Sequence, residues 1–368
     1  MTYIGQSAFA VCNNLTSIVI PDGVTRICDS TFEGCDNLTS IEILGSVTSI
    51  DSAAFEGCDN LTSIEIPNSV TSIGYRAFYG CSGLESIEFA ENSSLTSIGA
   101  YAFIGCDSLT EIVIPDSMTS IGDKTFYECT GLTRVVIPDS VTNIYSQAFK
   151  NCRNLTTVQF AENSKLKSIG SYAFDYCTSL TAIEIPDSVT SIDYDAFRGC
   201  SSLESVVIGD GLTSIGDSPF YDCTGLTSIK VSANNTNYKD IDGNLYTKDE
   251  KTLIQYALGK KDSSFTVPSG VTSISSGAFC NCTNLTSIVI PDGVTSIDSS
   301  AFSYCSNLTS VVIPDSVTSI GYGAFQYCES LTSINYRGTE EQWSAISKGL
   351  YWDSSTGDYT ITYNYDGE

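Results

Sequence analysis

Apolar residues return along this chain at the same places in a short unit. In one copy they are Leu61, Ile64, Ile66, Val70, Ile73, Ala77, Phe78 and Cys81, and the set reappears about every 23 residues. Its Phe-x-x-Cys core occurs thirteen times, from Phe9/Cys12 to Phe325/Cys328. A fixed period in this range marks stacked supersecondary units, none of which can bury its apolar side until a neighbour covers it. Ile64-Glu65-Ile66 alternates with period two, which predicts a strand with one buried face, and Pro67-Asn68-Ser69 supplies the turn that stops it. Val70 to Ile73 forms a second short apolar segment. Stacking sets each strand about 4.8 Å from its copy, so the first segments are expected to join into one long parallel sheet. The fold class is a repeat solenoid of 23-residue coils, with a parallel β-sheet on one face and short turns or helices on the other.

The departures from the rhythm give the organisation. In Phe89-Ala90-Glu91-Asn92-Ser93-Ser94-Leu95 and Phe160-Ala161-Glu162-Asn163-Ser164-Lys165-Leu166 the proline turn gives way to a loop two residues longer, placed at the surface. After Ile229-Lys230-Val231 the next matching strand is Phe265-Thr266-Val267, and the stretch between lacks Ala-Phe-x-x-Cys. Two alternating apolar runs there, within 238–249 and at 252–256, surround a charged turn and predict a β-hairpin. After Ile334 the pattern fades into a segment with Trp343 and Trp352, where a short helix over 340–347 and a strand over 359–363 are expected to close the open end. The expected division is repeats over 1–231, a hairpin insertion at 232–264, repeats over 265–335 and a C-terminal cap over 336–368. Thr2-Tyr3-Ile4-Gly5 stands where Thr71-Ser72-Ile73-Gly74 stands in a full unit, so the chain reads as a fragment opening within a repeat, its native address segment upstream.

The L-x-x-I-x-I strand followed by a returning A-F-x-x-C segment resembles the BspA-like leucine-rich repeats, over residues 1 to about 335. Hairpins like the Asp242-Gly243-Asn244-Leu245-Tyr246 segment recur in the same family. The resemblance implies a curved, leucine-rich-repeat-like solenoid from a surface protein of anaerobic bacteria or certain parasitic protists. It also implies adhesion to host proteins and other cells, an extracellular or cell-surface location, and no shared catalytic residue.

Charge and composition narrow the chemistry. The 43 acidic and 17 basic side chains give a formal charge of −26, which opposes nucleic acid and anionic lipid as partners. No apolar run is long enough to insert this fragment in a membrane. With no histidine in the chain, the commonest general base and every histidine-containing metal site are removed. Glu42, Glu65 and Glu88 fall in one column at separations that bracket glycosidase geometry. A flat exposed row, however, offers no desolvation to separate their pKa values. The protein is expected not to be an enzyme and to need neither cofactor nor metal.

Thirteen of the fifteen cysteines share one repeat position, three residues after a Phe and three before a Leu, and read as a ladder of small hydrophobes. Copies near 4.8 Å apart lie beyond the roughly 3.8 Å Cβ separation of a disulfide, so free thiols are expected. Cys28 and Cys280 lie outside the ladder. Asp240-x-Asp242-Gly243-Asn244 lacks the spacing of a calcium loop and reads as a tight turn. The Asn-Leu-Thr sequons, such as Asn37 and Asn60, read as turn asparagines before a core leucine.

What remains is surface. One outward position per coil, between the two buried isoleucines, carries Val19, Glu42, Glu65, Glu88, Val113, Val136, Gln159, Glu184, Val207, Lys230, Val289, Val312 and Asn335. Valine at six of these exceeds what a solvated sheet requires. The candidate binding residues are Val113, Val136, Glu184, Val207, Val289 and Val312. Tyrosines such as Tyr75, Tyr101, Tyr172 and Tyr194 border the opposite side, where their contact area suits an interface. The function expected is a non-enzymatic, adhesin-like protein engaging a protein or glycan of a host or neighbouring cell. The alternative is a structural stalk that presents another domain of a longer surface protein.

Overall fold

The computed structural model describes residues 4–367; the Thr2-Tyr3 opening lies outside the described residues, and Ile4 joins Ile27 by an isolated parallel bridge. The chain forms two compact units, one up to Phe197 and one from Arg198. Both are parallel β-solenoids.

In the first unit a coil has a long strand, a turn that most often carries proline, a short strand and a tight return. Ser63–Ile66 alternates exposed and buried residues, Val70 N–H donates to Pro67 O at 3.0 Å across the turn, and Ser72–Ile73 follows. Residues pair with their own repeat equivalents: Ser63 with Ser86, Ile64 with Ile87, Glu65 with Glu88, Ile66 with Phe89. The return is not helical. The residues two before and two after each Phe take positive φ, as at Ala53 (53°) and Gly57 (70°) around Phe55, and a left-handed residue every fourth position prevents helix propagation. Between them the phenylalanines stack: Phe55 lies 5.2 Å from Phe78, and Phe103 to Phe126 and Phe126 to Phe149 are each 5.3 Å, with rings within 8° of parallel.

The polar residues of the repeat tie coil to coil. Thr133 Oγ1 donates to Thr110 O at 2.9 Å before the long strands, and Thr71 Oγ1 to Thr48 O at 3.1 Å before the short ones. Asn60 Nδ2 donates to Asp36 O at 2.6 Å and Asn37 Nδ2 to Asn13 O at 2.7 Å, so both sequon asparagines hold turns. Cys58, Cys81 and Cys129 are buried and carry no disulfide. Each thiol donates to the carbonyl of the Phe one coil back, Cys129 to Phe103 at 3.0 Å. A small side chain with a weak donor therefore suits this position better than alanine would.

One long sheet is not what forms. The long-strand sheet runs from Ser17–Ile20 to Ser86–Phe89, ends there, and restarts at Glu111–Val113 to run through Arg134–Ile137 to Thr157–Phe160. Both ends coincide with the 25-residue coils. The added residues and a terminal Phe in place of Ile displace the strand end, so the next coil does not extend the ladder. The phenylalanine stack bridges the first opening without interruption, Phe78 to Phe103 at 5.2 Å.

In the second unit the insertion is a three-stranded meander rather than a simple hairpin. Tyr238–Ile241 pairs antiparallel with Asn244–Thr247, which pairs antiparallel with Thr252–Gln255, and that strand rejoins the solenoid by pairing parallel with Ser273–Ile274. Asp242 and Gly243, both at positive φ (49° and 73°), make the tight two-residue turn. Only two residues separate Leu253 from Tyr256, against four between Ile73 and Phe78. Tyr256 nevertheless takes the Phe place, stacking on Phe279 at 5.0 Å and donating its N–H to Ala278 O at 3.0 Å. The shortened return lets the flanking coils meet, with Ser218 Oγ donating to Ser276 O at 3.0 Å and Asn281 Nδ2 to Asp222 Oδ1 at 2.6 Å. At the far end a Thr339-capped helix, Glu340–Ala345, and the strand Thr360–Thr362 bring Trp343 and Trp352 over the core, Trp343 5.1 Å from Tyr336.

Candidate functional site

The outward column is a real register feature, but its members differ in access. In the first unit Val113 pairs with Val136, and Val136 with Gln159. Val113 is 54% exposed and Val136 half-buried, while Glu184 is exposed on its own strand. In the second unit Val207 is exposed beside Lys230. Val289 is half-buried.

Val312 does not belong with them, since it is only 5% exposed. Asn335, its neighbour in register, reaches back to donate to Ser310 Oγ at 3.2 Å, and Ser310 shares the outer face with Val312 two residues on. That bridge on one side and Val289 on the other close over the valine.

Val113 and Val136 lie on the floor of a trough that sequence reasoning did not assemble. Its larger lobe, about 700 Å³, is lined by Glu88, Phe89, Glu91, Val113, Pro115 and Asp116 at the opening of the sheet. A second lobe of about 360 Å³ shares Val113, Ile114 and Asp116 and continues to Val136, Asp139, Gln159 and Glu162. The two Phe-Ala-Glu-Asn-Ser loops form its opposite walls, with two regular coils between them. The one available signal was the pentapeptide itself, written identically at Phe89 to Ser93 and Phe160 to Ser164.

The rim is acidic. Arg134, on the strand, is held by Glu111 and donates to Gln159 Oε1 at 2.7 Å, and Lys165 pairs with Asp139 at 3.1 Å. Glu88, Glu91, Asp116 and Glu162 are exposed and have no ion-pair partner among the described residues.

The tyrosines make a second, different surface. Tyr75 packs edge-on against Tyr101 at 5.4 Å and Tyr172 against Tyr194 at 5.3 Å. Arg76 sits 3.9 Å over the Tyr79 ring, and Lys150 5.1 Å over Tyr172 while also pairing with Asp175 at 2.8 Å. Tyr75 and Tyr194 nevertheless remain 49% and 45% exposed, so this surface is also open to solvent. Among the described residues no cluster of three or more acidic or thiol side chains could hold a metal ion, and no helix is long and apolar enough to cross a membrane.

The coil is one seen in other proteins. The pattern described as the BspA-type leucine-rich repeat region, in six copies, matches residues 2–133, 119–248 and 256–364. The chain belongs to this family. Among solved structures, a leucine-rich repeat protein from Bacteroides ovatus is 29% identical, covering 98% of this chain and 86% of that one at a TM-score of 0.71. A leucine-rich cell surface protein from Faecalibacterium prausnitzii is 32% identical over 82% of this chain and 86% of its own, with a TM-score of 0.53. The pneumococcal vaccine antigen PcpA, 20% identical over 96% of this chain and 79% of its own at a TM-score of 0.53, shares the fold. No curated protein matches this BspA-type sequence.

Proposed function

We propose that this chain is a non-enzymatic, adhesin-like binding segment of a bacterial cell-surface or secreted protein, engaging a protein or glycan of a host or neighbouring cell through its solenoid surface. The observation that carries the reading is the Val113–Val136 step, an apolar patch held on a rigid sheet and open to solvent between two acidic loops. Solvated strands expose isolated β-branched residues, but an apolar step at the bottom of a trough suits contact with a partner. The cell-surface description of the Faecalibacterium relative supports the location. Chemistry is disfavoured in the carboxylate row because Glu42, Glu65 and Glu88 are all exposed on their strands, where nothing desolvates one relative to the next. The test is saturable adhesion of the purified chain to cultured epithelial cells, to bacterial cells and to immobilised matrix glycoproteins. Saturable binding to any of these supports the reading. Its absence from all three would leave the stalk as the better account.

A further inference from the structure

We infer that the trough between the two Phe-Ala-Glu-Asn-Ser loops takes an extended polypeptide segment in which apolar side chains alternate with lysine or arginine. The inference deepens the binding reading and rests on it. Shape comes first. The walls stand three coils apart, at least about 14 Å at strand spacing with the unpaired first step adding to it, room for roughly four or more residues of extended chain crossing the coils. The floor is Val113 and Val136 with the half-buried Phe89 at one edge, and Ile114, Pro115 and Ile137 lie buried beneath it. That floor offers apolar contact.

Charge decides the rest of the partner. Arg134 and Lys165 are engaged by Glu111 and Asp139, which leaves Glu88, Glu91, Asp116 and Glu162 facing the space above the valines. A segment with basic side chains on either side of an apolar one places both kinds of group where the trough complements them, and the overall −26 charge steers it inward. An acidic peptide, a nucleic acid or an anionic headgroup meets repulsion at the same rim. A glycan would want an exposed aromatic platform, and no Tyr or Trp lines either lobe.

The experiment is calorimetric titration of the intact chain with synthetic peptides: an alternating Lys-Val heptapeptide, its Lys-Ser and Glu-Val counterparts, and chitohexaose as the glycan probe. Three double variants accompany the parent: Val113→Ser with Val136→Ser, Glu91→Gln with Asp116→Asn, and Glu42→Gln with Glu65→Gln as an acidic control on other coils. Circular dichroism checks each fold. Saturable one-site binding of the Lys-Val peptide is expected, weakened about tenfold or more by the first two pairs and unchanged by the third. No saturable Lys-Val binding, equal binding of Lys-Ser, equal weakening by the control pair, or chitohexaose binding that depends on the valines would each overturn the proposal. The outcome is separable from the adhesion test. Cell adhesion that survives the valine variant sinks the trough and spares the surface reading, whereas peptide binding without adhesion does the reverse.

Discussion

The thiol of Cys58 donates to the carbonyl of Phe32, one coil back, across 3.1 Å. The same bond joins Cys81 to Phe55 at 3.0 Å and Cys152 to Phe126 at 3.1 Å, so the cysteine ladder is a column of buried donors and not a reserve of disulfides. Thiol titration in native buffer should count little beyond the half-buried Cys12, and titration in denaturant without reductant should reach all fifteen. A native count of most thiols, or a denatured count far below fifteen, would contradict the ladder.

The same burial sets a pH dependence. It pushes the Cys58 thiol up to about 12 from an ordinary 9.0, and Cys81 and Cys129 well above it. Below about pH 9 folded and unfolded chains both keep these protons, and the thiols contribute no slope. Above it the unfolded chain releases protons that the folded chain retains, so stability falls, by about 1.4 kcal/mol per pH unit for each such thiol. Buried tyrosines add their own slope from about pH 10 upward, which leaves the interval from about 9 to 10 to the cysteines. Urea midpoints measured across that interval should drop steeply. A flat midpoint there would mean that the thiols are not held protonated by the fold.

Phe126 lies buried between Phe103 and Phe149, whereas Phe9 is half-buried and stacks on Phe32 on one side. Phe126→Ala should cost about 3 to 5 kcal/mol, and Phe9→Ala clearly less, because an end coil has one neighbour to lose. Equal losses in denaturant unfolding would argue against a stack whose stability is a sum over adjacent coils.

Much of this was legible in the residues. Ile64-Glu65-Ile66 and Pro67 specified strand and turn locally, and identical neighbours made the register unambiguous, since a unit can pair only with its own copy. What period alone could not reveal was where copies fail to pair. Phe89 and Phe160 keep the apolar character of Ile66, so the hydrophobic pattern hides that the sheet opens beside them, and only the two-residue lengthening of those coils marks the place. Tyr256 hid for the opposite reason, because its coil lost two residues and the Ala-Phe-x-x-Cys spelling together while the stacking place stayed filled. Val312 looked like Val113 because exposure depends on the next coil, and Asn335 bends over one but has no counterpart beside the other.

Tyr336 is fully buried against Trp343, and its hydroxyl has no partner among the described residues. Its burial pushes the phenol pKa up. Removing a buried hydroxyl that makes no hydrogen bond while keeping the ring should be neutral or stabilising, by up to about 1 kcal/mol. Tyr336→Phe is therefore expected to unfold at the parent denaturant midpoint or above it. A loss of more than about 1 kcal/mol would mean that the hydroxyl is bonded in solution.

Arg134 spans three strands of the trough floor, held by Glu111 on one side and donating to Gln159 on the other. Its side chain is 42% exposed and that of Glu111 46%, so water screens the pair and its loss should alter stability by less than about 1 kcal/mol. The effect on recognition should be larger than the effect on folding. Arg134→Gln removes the central cation of the site and frees Glu111, which makes the rim more acidic where a basic segment would lie. The Lys-Val peptide should then bind several-fold more tightly, with the gain fading as salt rises, since it comes from charge and not from new apolar contact. Weaker binding in Arg134→Gln at an unchanged melting temperature would show that the arginine itself touches the partner. In that case the occupant presents a hydrogen-bond acceptor at that point, a carboxylate or a backbone carbonyl, and the repulsive role assigned to the arginine is wrong.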